Sequence, residues 1–390
     1  MAEWRKRLYE KFRKCFIFMQ TNKLPMPLYM DVHIVPGVKA RNVAEAHLKD
    51  LAHQDEYGCK SVTYWIDEAR ENVFCLIEAP DKNAVQEMHG KAHGLIPNKI
   101  IEVNANLVES FLGRIYDPAD AVVSKDGIKV FEDPSYRILL VTKICDTVLL
   151  KHQYGEKANE MIAEHNQIIR ENLAEYGGRE AENDRDGFVI SFTLAAKALA
   201  CALHIRDQIQ QVIKADIGFR MAINAGEPVE KSMKLFGDTI HRAEAMCYIT
   251  NNTKIALSAA VKDIVAKDML HNDGKTFLTL SPKDEELLES LFATLKDNWQ
   301  DATFNMDNYC KATAMSSSQL YRKTISLTGV SPNILLKNYR LEKAKELMRK
   351  RAYNIAQITF DSGFTSASYF TKCFKKKYGL LPMAYLEHLH

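Results

Sequence analysis

"GFTSASYFTKCFKKKYGLLP", Gly363 to Pro382, decides how the end of this chain folds. Phe364, Phe370 and Phe374 recur at i, i+6 and i+10, so one helical face is apolar and Ser368, Thr371 and Lys372 point away from it. Gly379 and Pro382 then form a helix exit. Sliding the chain by fifty residues finds the same unit upstream: Ser316 falls on Ser366, Ser318 on Ser368, Leu320 on Phe370, Arg322 on Lys372, Gly329 on Gly379 and Pro332 on Pro382. Each copy predicts a short helix, a turn, a second helix with a basic outer face, and a Gly-x-x-Pro exit. The turns, "ATAMSSSQ" (312–319) and "DSGFTSAS" (361–368), carry hydroxyls that can cap the second helix. Between the copies, "SPNILLKNYRLEKAKELMRK" (331–350) reads as a long amphipathic helix with Leu335, Tyr339, Leu341 and Leu347 among its apolar residues.

Charge is sorted along the chain. From Phe304 onward there are 14 Lys and Arg against 5 Asp and Glu, or +9; the remainder holds 38 against 45, or −7. A basic block behind an acidic body is the distribution of a protein in which one domain meets a polyanion. A repeated helix-turn-helix supplies the geometry, because a recognition helix lays its first side chains against base edges while nearby hydroxyls and cations hold phosphates. The spacer helix would set two such helices about one turn of DNA apart, ~34 Å. "YRLEKAKELM" (339–348), "IAQITFDSGFTSASYFTKCFKKKYGLLP" (355–382) and "MSSSQLYRK" (315–323) resemble the AraC/XylS family of bacterial transcription regulators over roughly the last ninety residues. Arg340, Leu341 and Ala344 match its R-L-x-x-A helix start, and Gly363, Phe364, Ser368, Tyr369, Phe370, Phe374, Lys375, Gly379 and Pro382 match its second unit. The resemblance implies DNA contacts from Ser318, Tyr321, Arg322, Lys323, Ser368, Thr371, Lys372 and Lys375. Thr359-Phe360 departs from the alanine common in the family's I-x-x-I-A. The lysines of "FKKKYG" are expected to neutralise phosphate.

The 390 residues predict two to four domains. No apolar run reaches the length of a membrane span, and the basic opening "MAEWRKRLYEKFRKCFIFMQ" lacks the apolar core of a secretory signal. A second possible start lies at Met26. Eight cysteines are scattered without a CxxC pair, which argues against a zinc cluster or a disulfide frame and for reduced thiols in a cytoplasm.

Residues 26–104 alternate strands and helices in the order strand-helix-strand-strand-helix-strand: "LYMDVHIV", "RNVAEAHLKDLAHQDEYG", "SVTYWID", "NVFCLIEAP", "DKNAVQEMHGKAHGL" and "KIIEV". That order predicts a ferredoxin-like split βαβ fold. Five of the twelve histidines lie here: His33, His47, His53, His89 and His93. The i, i+4 spacing of His89 and His93 points both imidazoles one way, as a first-row metal ion requires, and His33 lies on the first strand, expected to be central. The alternative is a set of histidines packed at a dimer face or left in solvent. "HLKDLAHQDEYG…YWIDE…VFCLIEAP" also resembles a family of small bacterial ferredoxin-like proteins, some of which bind nickel.

Proline, glycine and polar residues mark 105–134 as a linker with room for one short helix. Residues 135–270 read as a second α+β module, with strands at "YRILLVTK", a hairpin around "GGREAENDRDGFVISF" and "GFRMAINAG". "EYGGREAENDRDGFVISF", "GFRMAINAGEP" and "LFGDTIHRAEAM" resemble class III nucleotide cyclases. The resemblance implies two aspartates for metal ions, and an Asn and an Arg for the ribose and transition state. Here the hairpin aspartate is Asp186, preceded by Arg185 in place of glycine; the other three positions fall on Lys143, His241 and Ala245. A protonated lysine cannot ligate magnesium, so catalysis is not expected, and Lys143 is expected to pair with Asp184 or Asp186. A dimerisation scaffold and a ligand-sensing remnant both remain open.

The expected protein is thus an α+β multidomain chain: two ferredoxin-like modules, then an all-α double helix-turn-helix domain at 283–390. It is expected to be a cytoplasmic, homodimeric regulator that binds promoter DNA and RNA polymerase and responds to nickel, another first-row metal or a small ligand. The rivals are a nucleotide cyclase-type enzyme and a metal-binding protein with an incidental DNA-binding tail.

Overall fold

The computed structural model describes residues 26–144, 146–184, 186–213, 217–251, 253–265, 270, 276–350 and 354–389. The basic opening segment and Arg185 lie outside them. The chain divides into two compact units, one ending at Ser135 and taking in Pro228–Leu235, the other formed by Tyr136–Glu227 and the chain from Phe236 onward.

In the first unit β1 (Leu28–Ile34), α1 (Ala40–His53), β2 (Lys60–Asp67), β3 (Asn72–Glu78), α2 (Lys82–Ala92) and β4 (Lys99–Val103) follow one another. The sheet is antiparallel in the order β2-β3-β1-β4, which makes β1 central. Alternation along β1 puts Tyr29, Asp31 and His33 on one face and Met30 and Val32 on the other. Val43 and Ala44 of α1 and Val85 and Met88 of α2 share a core with Tyr29, Tyr64, Ile66, Val73 and Ile77 of the sheet. The segment 105–134 carries the short helix α3 (Ala105–Leu112), with Val108, Phe111 and Leu112 buried, and in addition the ribbon β5 (Val122–Val123) and β6 (Lys129–Val130). Phe131 stacks on Tyr64 at 4.3 Å, and the Arg114 guanidinium lies 4.4 Å from the Trp65 ring.

The second unit opens with β7 (Arg137–Lys143), α4 (Thr147–Tyr154), α5 (Lys157–Tyr176), β8 (Arg179–Asp184), β9 (Gly187–Phe192), α6 (Ala195–Val212), β10 (Arg220–Gly226) and α7 (Gly237–Ile249). β11 (Ile255–Leu257), α8 (Ala259–Ile264) and β12 (Phe277–Thr279) extend it. Its six strands run β12-β11-β10-β7-β9-β8, antiparallel except that β10-β11 and β11-β12 are parallel. Those two parallel strands are only three residues each, too short for a period-2 pattern to show in sequence. Gly187 is fixed by close approach, since a β-carbon there would sit 1.8 Å from the Thr142 carbonyl oxygen on the paired strand.

Seven helices complete this unit: α9 (Pro282–Asn298), α10 (Met306–Ala312), α11 (Ser317–Thr328), α12 (Pro332–Arg349), α13 (Ile355–Asp361), α14 (Ala367–Tyr378) and α15 (Pro382–Glu387). They form two cores. Leu291, Leu295, Phe304, Tyr309, Leu320, Leu335 and Leu336 make the first. Leu341, Ala344, Met348, Ile358, Phe364, Phe370, Phe374 and Tyr385 make the second, joined by Val148 of α4. No helix among the described residues is long and apolar enough to cross a membrane.

Candidate DNA interface and metal centre

The two helix-turn-helix units are built alike. Ser316 caps α11 by accepting the Gln319 amide, with the Gln319 side chain returning to the Ser316 amide, and Ser366 caps α14 by accepting the Tyr369 amide. Left-handed glycines, Gly329 and Gly379, end both helices. Leu320 and Phe370 are wholly buried, which turns the opposite faces outward. Ser318, Tyr321, Arg322 and Lys323 are exposed on α11, and Ser368, Lys372 and Lys375 on α14; Thr371 is half-buried. Among the described residues no carboxylate pairs with Arg322, Lys323, Lys372 or Lys375, so their charge is available to a polyanion. Lys377 differs from the expectation for "FKKKYG". Its ammonium lies 2.9 Å from Glu342 and 3.2 Å from the Asn338 carbonyl, so it ties α14 to α12. The Thr359 departure is absorbed locally, because its buried hydroxyl donates to the Ile355 carbonyl at 2.8 Å. Phe360 faces out, 57% exposed.

In the first unit His33, His89 and His93 converge, with ring centroids 4.9 to 6.1 Å apart. His33 comes from central β1, and His89 and His93 from the last turn and cap of α2. Two carboxylates that sequence reading missed complete the cluster. His89 spans them, Nε2 to Asp31 and Nδ1 to Asp50, both at 3.0 Å. Asp31 also lies 3.3 Å from His33 Nε2, and Asp50 lies 3.2 Å from His93 Nε2. Cys75, opposite Asp31 in the β1-β3 register, joins Asp31, His33 and His89 within 4.8 Å. An Asp two residues before His33, on a strand expected to be central, was the signal available in the sequence; the Asp31–Cys75 register is visible only in the fold. His47 instead packs against Tyr64, and His53 bonds back to the Lys49 carbonyl.

Electrostatics set the state of this cluster. Burial opposes charge on His89, but Asp31 and Asp50 at its two nitrogens raise its pKa to about 10. Burial likewise works against the Asp31 and Asp50 carboxylates, and the imidazoles overcome it, so both titrate below their ordinary value. Burial, reinforced by Asp31 and Asp50, pushes the Cys75 thiol well up. His33 Nε2 and Asp31 Oδ1 are buried 3.3 Å apart, facing each other without hydrogen-bond geometry and with no other hydrogen-bond partner among the described residues. A buried imidazole nitrogen and carboxylate oxygen that face each other without hydrogen-bonding fit a cation between them, and imidazole with carboxylate is a donor set for first-row ions.

At the cyclase positions Lys143 and Asp186 are paired with neighbours. The Lys143 ammonium lies 3.4 Å from Asp184 and 3.2 Å from Glu244. Burial works against its charge, and these carboxylates raise its pKa. Asp186 is paired with Arg349 instead, Nη1 to Oδ2 at 2.6 Å. On α7 His241 is exposed and Ala245 buried.

Comparison with known proteins matches two stretches of the chain to described families. Residues 309–388 match the helix-turn-helix domain family, and residues 29–103 match the nickel responsive protein SCO4226-like family. The chain is 33% identical over 108 residues to histidine kinase P4 of Formosa agariphila, covering 28% of this chain and 8% of that protein. It is 30% identical over 99 residues to the HTH-type transcriptional regulator MtrA of Neisseria gonorrhoeae, covering 25% of this chain and 31% of MtrA. The chain therefore spans about a third or less of the length of these curated relatives. The adenylate/guanylate cyclase/hydrolase structure from Silicibacter pomeroyi is 26% identical at a TM-score of 0.29, covering 33% of this chain and 78% of that one. The chain thus carries, at residues 309–388, a match to a helix-turn-helix domain and, at residues 29–103, a match to the family described as nickel responsive protein SCO4226-like.

Proposed function

We propose that this chain is a sequence-specific, DNA-binding transcriptional regulator whose first domain senses a first-row metal ion, nickel foremost. The observation that carries the reading is the pair of serine-capped helices, fifty residues apart, whose exposed faces hold Arg322, Lys323, Lys372 and Lys375, unpaired with any carboxylate among the described residues. Ser318, Tyr321, Ser368 and half-buried Thr371 lie beside them, placed to meet base edges or phosphate. His33, His89 and His93 would hold the metal, with Asp31, Asp50 and Cys75 as neighbouring donors. A bound ion would supply fixed positive charge between β1 and α2, and loading it requires the proton to leave His89.

The finer assignments are ours as well. We read both α/β modules as ferredoxin-like, and the chain as a cytoplasmic homodimer that acts with RNA polymerase and performs no catalysis. Support for the last comes from the ammonium of Lys143 among carboxylates, the aliphatic Ala245, and Asp186 held by Arg349. The test is selection of bound sites from random DNA by the full chain, with and without nickel. Enrichment of a two-part site, changed in affinity by nickel, supports the whole reading. Enrichment indifferent to nickel removes the metal response, and no enrichment removes the regulator.

A further inference from the structure

Asp146 and Asp186 lie at one end of the cyclase-like module, and both are engaged by the helix that joins the two helix-turn-helix units. Arg349, the last residue of α12, reaches Asp186 with Nη1 at 2.6 Å and Nη2 at 3.2 Å. Its Nη2 also lies 2.6 Å from Asp146 Oδ2. That same oxygen receives the Tyr385 hydroxyl at 2.6 Å and the Lys345 ammonium at 3.0 Å. The Asp146 side chain is 1% exposed, and its other oxygen caps α4 through the Val148 amide at 2.9 Å. One buried carboxylate therefore accepts donors from α4, α12 and α15 together. Such a group is costly to leave unpaired, so the arrangement is cooperative.

Apolar packing follows the same path. Val148 and Leu149 of α4 belong to the cluster that contains Phe364, Phe370, Phe374 and Tyr385, so the second helix-turn-helix unit completes its core with a helix from the cyclase-like module. The recognition face of α14 stays clear of this contact, with Ser368, Lys372 and Lys375 exposed. The contact therefore orients the second unit without covering the surface that would meet DNA.

We propose that the aspartate end of the cyclase-like module is a docking surface for the chain's own second helix-turn-helix unit, clamped by Arg349 between Asp146 and Asp186. The clamp sets the direction in which α14 is presented relative to α11. It acts on binding that needs both recognition helices at once, and not on binding through one.

This rests on the DNA-binding reading, and the experiment separates the two. The full chain and its variants Asp186→Asn, Arg349→Met and the double are tested against the selected two-part site and against the same site with the half read by the second unit scrambled. Amide hydrogen exchange is followed over 147–154 and 355–378. Each single variant is expected to lose about tenfold in affinity for the two-part site, to bind the scrambled site as before, and to exchange faster in both segments. The double variant is expected to lose no more than the worse single. Unchanged affinity for the two-part site overturns the orienting role, as does an equal loss on both DNAs. If the wild type selects no DNA, the regulator reading falls while exchange still decides the docking: unchanged exchange in Arg349→Met overturns it. Should Arg349→Met fail to fold, Asp186→Asn leaves Asp146 paired and carries the same comparison.

Discussion

Gly363 sits at φ +76°, and a β-carbon there would lie 2.3 Å from the Trp299 carbonyl oxygen and 2.8 Å from Arg340 Nε. Arg340 is held in place by the carbonyls of Trp299 at 2.9 Å and Asp301 at 2.6 Å. Two residues matched in the sequence as separate motifs are thus one contact. Gly363→Ala therefore meets backbone strain and a backbone clash together, and should cost roughly 2–4 kcal/mol in a thermal or urea melt. On the recognition helices, Arg322→Ala or Lys372→Ala should weaken specific DNA binding by about 1–3 kcal/mol if the side chain reads a base. Lys375→Ala should instead lower the slope of log affinity against log salt by about 1, with little effect on sequence choice. Lys377→Ala should leave that slope unchanged and lower stability, because its ammonium is spent on Glu342.

Between elements, charge and apolar surface are shared in ways no single segment shows. His89 of α2 lies between Asp31 of β1 and Asp50 of α1, and its pKa of about 10 exceeds the ordinary histidine value. A raised folded pKa means the contribution is full below pH ~6.5 and is lost as pH rises toward 10. The depressed Asp31 and Asp50 contribute above pH ~4 and lose that stability on acidification. Metal-free stability of the first unit should therefore be greatest between about pH 4 and 6.5, and His89→Gln should flatten the alkaline limb of its melting profile. Nickel titration near pH 7.5 should release about one proton per ion or more, read from calorimetry in buffers of differing ionisation enthalpy. In the second unit, Val148 of α4 is buried in the core of α13 to α15. Val148→Ala should cost roughly 2 kcal/mol and speed amide exchange around Phe370 and Phe374, far along the chain.

For the whole molecule, the charge division between acidic body and basic end is the feature on which the proposed association with DNA would depend. Affinity of the full chain for its selected site should fall steeply with salt, and the slope should count the phosphate contacts of both helix-turn-helix units together. Removing the second unit's share by Lys372→Ala with Lys375→Ala should lower the slope by about 2 if both meet phosphate. A smaller change would mean that one of them reads a base or does not touch DNA.

The sequence alone settled whatever is written in local period and repetition. The fifty-residue duplication shows when the chain is compared with itself, and its caps, its glycine exits and the strand-helix order of the first module depend on neighbours a few positions apart. Three of the five histidines could be picked because His89 and His93 are one helical turn apart and His33 lies on a strand expected to be central. Tertiary structure alone chose the partners: Asp31 and Asp50 around His89, Cys75 across from Asp31, the diversion of Lys377 to Glu342, and Arg349 on Asp146 and Asp186. Such pairings join side chains 35 to 203 positions apart, or rest on which of two faces a strand turns inward. Coulomb attraction and desolvation depend on distance through space, and a single chain's order of residues carries no record of it.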